Sequence, residues 1–312
     1  MLPQIDVIIP TQCDAPRREL LLRAIDCVVG QEGVAGRPIV VVNGARYLPE
    51  LVGQLRARTD MVVIQRDEPG VFGARRAGFA AVRSEYFAIL DDDDLLLPGA
   101  LGRRLAALQA DASADWAVSQ GIFVMPDRSV PYIGDLAAVR RNPLGTLVEY
   151  CWLCSAGNLF RTAAVQADMF DAVRSMEITY LAFRLLAEGR RPAFLDEPTF
   201  KYFYYPDSLS KAASYTQFAY ETIEAVRHLP LPPSVRSGLA RKYRRAMHDL
   251  ADFRLGCGDV SGAWRAHVRS MSGFPEVLSF AGYSRRLISR TFQHALGGSS
   301  PGNQPASLPD RS

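Results

Sequence analysis

Four consecutive aspartates, Asp91 to Asp94, follow directly on the apolar run Tyr86-Phe87-Ala88-Ile89-Leu90. Adjacent carboxylates repel, and each raises the pKa of its neighbours unless a cation neutralises them. Hard divalent cations such as Mg2+ and Mn2+ take oxygen ligands, commonly one or two carboxylates together with substrate phosphates. The run in front reads as a buried strand, so the carboxylates leave its C-terminal end, where open α/β sheets bind ligands. A metal–diphosphate site is the chemistry this junction suggests; a solvated acidic turn is the plainer account of the same charges. All four histidines (His228, His248, His267, His294) lie in the last third, which argues against a Ser-His-Asp, Cys-His or His-ligated zinc site upstream. Cys151-Trp152-Leu153-Cys154 is a lone CxxC, better read as two half-buried structural thiols. No Gly-rich loop ending in Lys-Ser/Thr occurs, and the first strand is followed by Pro10-Thr11-Gln12-Cys13 rather than GxGxxG.

The elements that must carry these residues follow from periodicity. Continuous β-branched and apolar runs at 5–10, 38–43, 61–66 and 86–91 predict strands buried on both faces of a parallel sheet. Helical stretches near 17–30, 46–58, 71–83 and 98–110 separate them, the first opened by Asp14-Ala15-Pro16. This β-α-β-α order implies right-handed crossovers and a doubly wound α/β sheet with helices on both faces. Further strands are expected at 116–124, 130–133 and 193–196, a mixed loop and helix at 140–160, and a helix near 178–188. Lys201-Tyr202-Phe203-Tyr204-Tyr205-Pro206 reads as aromatic and irregular, with core packing the better account of at least half of it. From about 215 the pattern is helical only, with a hairpin turning at Gly256-Cys257-Gly258-Asp259, and 297–312 has the composition of a disordered tail.

At 312 residues, with 48% hydrophobic and 22% charged residues, the composition is that of a soluble globular chain of one large or two smaller domains. A net charge of +3 is too small to imply nucleic acid as a partner. Only Lys201, Lys211 and Lys242 are lysines among 36 basic residues, a bias that base composition alone can produce. No apolar run long enough to span a membrane occurs, no signal-like segment precedes the first strand, and five cysteines do not form a disulfide framework, so a cytoplasmic location is expected.

Three segments then fall into one pattern: Ile8-Ile9-Pro10-Thr11, Gly70-Val71-Phe72-Gly73-Ala74-Arg75-Arg76-Ala77-Gly78, and Leu90-Asp91-Asp92-Asp93-Asp94. Together they resemble the family 2 glycosyltransferases of GT-A type fold, in which a strand ending Ile-Pro-Thr and a Gly-x-x-x-Ala-Arg-Asn-x-Gly segment precede Leu-Asp-x-Asp-Asp. Gln31, Gly157-Asn158-Leu159-Phe160-Arg161, Glu177 with Leu181, Arg184, Leu185 and Gly189, then Asp196-Glu197-Pro198 and Ser208-Leu209-Ser210 extend the likeness over roughly 5–210. The resemblance implies a glycosyltransferase domain at 1–213, with a nucleotide-binding half at about 1–125 and an acceptor half at about 126–213, followed by a helical extension at 214–296. It implies that Pro10, Thr11 and Asn43 line the nucleobase pocket, that Arg75 approaches the nucleotide, and that Asp91 and Asp92 face the ribose or the metal shell. Asp91 and Asp93 would hold a divalent cation, Mg2+ or Mn2+, against the diphosphate, and Glu177 would lie in the segment supplying the general base. The implied reaction is inverting transfer of a sugar from a nucleotide-diphosphate donor to a hydroxyl of a glycan or lipid-linked acceptor, in surface polysaccharide or glycolipid synthesis.

The chain departs from that pattern at several points. Ile178 replaces the Asp of the family's Glu-Asp pair, which leaves Glu177 or a nearby Asp168 or Asp171 as the base. Phe203 and Tyr205 stand where Arg and His are usual, Asn43 where Asp is, Arg76 where Asn is, and Cys13-Asp14 where Asn-Arg is common. These departures sustain a second reading, a catalytically silent relative that binds nucleotide sugar or a partner enzyme. A nucleotidyltransferase is disfavoured because no Gly-rich, Lys-bearing loop follows the first strand. Within 276–296, Val277, Phe280, Leu287, Ile288 and Phe292 make an apolar stripe flanked by Arg285, Arg286 and Arg290. A helix packed on the catalytic domain explains the stripe most simply. A basic amphipathic helix can also lie on an anionic membrane, giving peripheral contact at its inner face.

Overall fold

The computed structural model describes residues 2–170, 173, 175–206, 218–271 and 276–295. Strands β1 (Gln4–Thr11), β2 (Ala35–Asn43), β3 (Val62–Arg66) and β4 (Tyr86–Ile89) are mutually parallel and are connected through helices α1 (Arg18–Val29), α2 (Pro49–Arg56) and α3 (Val71–Ala80). Their uniform apolarity has a direct cause. Side chains alternate across a strand, and both faces are covered. Val7, Ile9, Val40 and Val42 pack with Leu21 and Ile25 of α1 and Leu51 and Leu55 of α2. Ile8, Ile39 and Val41 pack with Ala74 of α3 on the opposite face. A Cβ on Gly78 would collide with the Ile8 side chain, so this glycine lets α3 lie directly on β1.

The second half comprises β5 (Leu95–Leu96), α4 (Ala100–Ala110), β6 (Trp116–Val124), β7 (Ser129–Pro131), α5 (Leu136–Arg141), α6 (Pro143–Glu149), β8 (Asn158–Arg161), α7 (Glu177–Ala187) and β9 (Pro192–Phe203). The sheet runs β3-β2-β1-β4-β8-β6-β9-β5, with β7 on β6. Strand β8 is antiparallel to both β4 and β6, and β9 is parallel to β6, so six of the nine strands point one way. This is the GT-A type, mostly parallel α/β sheet.

Two expectations are corrected. Asn158–Arg161, at the end of the stretch expected as mixed loop and helix, instead enters the sheet as β8 between β4 and β6. The strand expected at 193–196 continues to Phe203, carrying Tyr202 and Phe203 with it. Both strands are short or irregular in pattern, and β6 and β9 pair with register shifts at Ser119/Gln120 and Gln120/Ile122 that break simple alternation. Tyr202 packs edge-on against Phe123 and Tyr132, as core packing requires, while Tyr204 is exposed.

Beyond the sheet lie α8 (Ala219–Arg227), α9 (Pro233–Gly256), α10 (Val260–Ser270) and α11 (Glu276–Ala295). The α9–α10 turn uses Gly258 at φ +81° and the Asp259 carboxylate, which accepts from the Gly262 amide at 2.7 Å and caps α10. Tyr283 and Leu287 of α11 are buried against Met247, Leu250, Ala263 and Ala266. The expected boundary at 213/214, the Ser208-Leu209-Ser210 segment and the tail at 297–312 lie outside the described residues. Among those described, no helix is long and apolar enough to cross a membrane.

Candidate functional site

Strand order places the site. From β1 the chain moves outward to β2 and β3, then returns to β4 on the other side of β1. A crevice opens at such a reversal, outside the carboxyl ends of the strands. Here it holds a cavity of about 380 Å3 lined by Pro10, Thr11, Asn43, Arg75, Asp91, Asp92, Asp93 and Glu177, and also by Arg17, Gly70, Tyr202, Phe203 and Tyr205. Pro10, Thr11, Asn43, Arg75, Asp91, Asp92, Asp93 and Glu177, the site residues that the resemblance implies, all line it. Pairing of β1 with β4 stops at Ile8↔Ile89, so Pro10, which has no N–H to donate, stands beyond the last rung and the two chains can part. Asp6, an equally buried acid, sits at the other end of β1 and is satisfied there by Arg37 and by the amides of Arg83 and Ser84.

The four aspartates do not point together. Asp91 accepts from Arg75 and from the Ser155 hydroxyl, each at 2.5 Å. Asp92 is buried and ion-paired to Arg17, whose same nitrogen reaches Asp93 at 3.1 Å. Asp94 turns inward, almost wholly buried, where one oxygen accepts from the Phe203 amide at 3.4 Å. Burial pushes the Asp92 carboxyl up to about 6, with the Arg17 charge pulling the other way. Burial, then the Asp91 charge, raises Asp93, and the same two causes raise Asp94 well above the usual carboxylate range. Asp94 is thus an anchor for β9, and Asp91 to Asp93 form the polar floor of the cavity.

Arg75 is the hub of the opposite wall. Its guanidinium is buried and joins Asp91 on one side to Glu177 on the other. Glu177 opens α7, where a carboxylate also favours the helix dipole. Two of the described non-glycine residues adopt positive φ, Cys13 at 54° and Met176 at 52°. One follows Thr11 and the other immediately precedes Glu177. Such conformations persist only where surrounding packing imposes them, and they concentrate at functional sites.

Other carboxylates considered for the base fare differently. Asp168 is exposed and paired with Arg184 at 3.0 Å, away from the cavity lining, and Asp171 lies outside the described residues. Ile178 packs on the core, so it offers the site nothing polar. Arg76 is exposed on α3. Gln31 is a tie between elements: its amide donates to Cys27 and Leu97 carbonyls and accepts from the Leu101 amide.

Three supporting residues were not foreseen. Arg17 supplies the counter-charge for Asp92 and Asp93; nothing local distinguishes it from the exposed arginines nearby. Ser155 fixes Asp91, from a turn with no sequence signature. Arg104 is fully buried and makes no ion pair among the described residues; it donates to Ser119, to Thr199 and to the carbonyls of Ala156 and Asn158. Burial pulls its guanidinium down to about 9, still protonated at neutral pH. A signal did exist, because Arg104 interrupts the apolar face Ala100, Leu101, Leu105, Leu108 of α4. Arg104→Ala is expected to leave the two carbonyls unpaired beside a cavity and cost about 3–5 kcal/mol in urea unfolding. Thr199 and Ser119, already 2.5 Å apart, can satisfy each other and limit the loss.

Among the described residues no three carboxylate, imidazole or thiol side chains converge on one point. Asp91 and Asp93, both lining the cavity, are nonetheless a donor set that suits a hard cation completing its shell with waters and phosphate oxygens.

The family model for glycosyl transferase family 2 matches residues 6–159, which run from within β1 to the first residues of β8 and include the acidic floor. Residues 6–159 belong to glycosyl transferase family 2. The succinoglycan biosynthesis protein ExoO of Rhizobium meliloti (strain 1021) is 35% identical over 135 residues, a stretch covering 42% of this chain and only 38% of that protein. Among solved structures, residues 1–349 of S. aureus TarS in complex with UDP-GlcNAc match at TM-score 0.61 and 15% identity, over 94% of this chain and 92% of that one. The UDP complex of the same TarS fragment matches at 0.59 and 14%. At such identity the TarS likeness speaks for the fold, and it reaches past the family 2 segment into the helices beyond the sheet.

Proposed function

We propose that the chain is an inverting glycosyltransferase of surface polysaccharide or glycolipid synthesis, taking its sugar from a nucleotide diphosphate. The observation that carries this reading is the convergence of Thr11, Asn43, Arg75, Asp91, Asp93 and Glu177 on one cavity at the strand reversal of a family 2 domain. ExoO is named for succinoglycan biosynthesis and TarS has been solved with UDP-GlcNAc, which supports a glycan product and a nucleotide-sugar donor.

Each wall then has a task. Pro10, Thr11 and Asn43, at the ends of β1 and β2, receive the base. Arg75 and Arg17 supply positive charge where phosphates lie. Asp91 and Asp93 hold Mg2+ or Mn2+, which when bound stabilises the leaving diphosphate as a Lewis acid. Transfer builds positive charge at the anomeric carbon, as in glycoside hydrolysis, and the carboxylate floor is favourable to it. Glu177 takes the acceptor hydroxyl proton through Oε2, which has no hydrogen-bond partner among the described residues. One displacement on the face opposite the diphosphate inverts the sugar carbon.

A second reading has a specific observation behind it: Glu177 is committed to Arg75 and Ile178 to the core, so the chain could bind donor without transferring it. A thermal-shift panel of nucleotide sugars with and without Mn2+ tests binding, because a ligand for the folded form alone raises its stability. The expected result is a metal-dependent shift for one donor, followed by donor turnover in the presence of acceptor. A shift without turnover favours the silent relative; no shift for any donor rejects both.

A further inference from the structure

The α10–α11 hairpin carries a surface that the site chemistry does not use. Ile288 and Phe292 of α11 are 46% and 65% exposed, and Val268 of α10 is 59% exposed. They form one patch. Arg285, Ile288 and Phe292 are spaced i, i+3, i+7 and share a helix face. Trp264 and Val268 share the facing ridge of α10 at i, i+4. The Trp264 indole donates to the Thr291 hydroxyl at 2.9 Å, which joins the two ridges. The apolar stripe read from sequence therefore divides: Leu287 packs inward with Tyr283, and Ile288 and Phe292 face out.

The hairpin as a whole also carries the chain's excess positive charge. Residues 260–295 hold five arginines and one glutamate, a net of +4. The whole chain is +3, so everything outside the hairpin is −1. Arg285, on the face of Ile288 and Phe292, is exposed and makes no ion pair among the described residues, and Arg265, exposed on α10, lies near enough to Asp259 to lower its carboxyl. Exposed Phe and Ile flanked by arginine is the pattern of a helix that lies in a lipid interface, with its apolar side chains in the acyl boundary and its cations at anionic headgroups.

We propose that the α10–α11 hairpin docks the protein on an anionic lipid bilayer through Val268, Ile288 and Phe292, with Arg265 and Arg285 on the headgroups. This goes beyond the glycosyltransferase reading and does not need it, since binding is measured without donor, metal or acceptor. The test is co-sedimentation of the full chain with phosphatidylglycerol-containing and with pure phosphatidylcholine vesicles. Binding to the anionic vesicles alone is expected, weakened as salt shortens the Debye length. Ile288→Glu/Phe292→Glu and, separately, Arg265→Glu/Arg285→Glu should each lower the partition coefficient about tenfold or more. Arg56→Glu/Arg128→Glu, an equal charge change on exposed residues elsewhere, should not. Unchanged circular-dichroism melts show that the variants remain folded. Equal binding to both vesicle types, no binding, or equal losses in the control variant overturns the proposal. So does a dimer in size exclusion that Ile288→Glu/Phe292→Glu dissociates without any vesicle binding, because a second copy would then own the patch.

Discussion

Arg75→Ala is expected to cost about 3–5 kcal/mol of stability, the range for stripping one partner from a buried ion pair. The size follows from what remains. Glu177 is buried and would lose its counter-charge, and Asp91 would keep only the Ser155 hydroxyl. Arg75→Lys should recover little, because a single ammonium cannot reach two carboxylates on opposite sides as the guanidinium does. A double-mutant cycle isolates the pair: Glu177→Gln should cost clearly less in the Arg75→Ala background than in the wild type. Chemical denaturation of the four proteins reads this directly. If Glu177→Gln costs the same in both backgrounds, the two residues are not coupled and Glu177 is free for other work. The same Gln variant then bears on catalysis, since loss of a general base lowers turnover by a factor of roughly 10^2 to 10^4.

Asp93→Ala should do the reverse, leaving the fold intact and removing activity. Its carboxylate is raised by burial and by the Asp91 charge, so deleting it relieves repulsion and frees Arg17 to serve Asp92 alone. Stability should therefore stay within about 1 kcal/mol of the wild type. Turnover in Mn2+ should fall about 10^2-fold or more, given several kcal/mol of leaving-group stabilisation and tenfold per 1.36 kcal/mol. Donor turnover within about threefold of wild type would reject Asp93 as a cation ligand. Asp92→Ala is the informative companion: that side chain is buried against Arg17, so its loss should register in the melt.

The contrast between these neighbours was invisible in the run of identical letters. Asp91, Asp92, Asp93 and Asp94 have one side chain and one local context, yet the fold gives them Arg75 and Ser155, Arg17, a share of Arg17, and the Phe203 amide. The segment before them was legible because strand β4 is four consecutive buried residues. The same holds for β1 and β2, whose apolar runs are continuous, and for the helices between the strands, where a period of 3.6 registers within one element. Gly78 and Pro10 were legible as family signatures, and their steric reasons became plain once α3 lay on β1 and β4 had diverged.

By itself, then, the chain's sequence determined the doubly wound parallel half, the strand ends from which Thr11, Asn43 and Asp91 emerge, and the apolar periodicity of the terminal helices. These depend on residues a few places apart, whose side chains share a strand face or a helix stripe. Only the tertiary structure decided that β8 slots between β4 and β6, that Arg104 becomes a buried donor to a turn 52 residues away, and that Arg17 reaches across 75 residues to Asp92. It also decided that Leu287 faces the core while Ile288 and Phe292 face out. The physical reason is that desolvation and partner choice are set by which surfaces meet, and separations of that length leave no period in the chain.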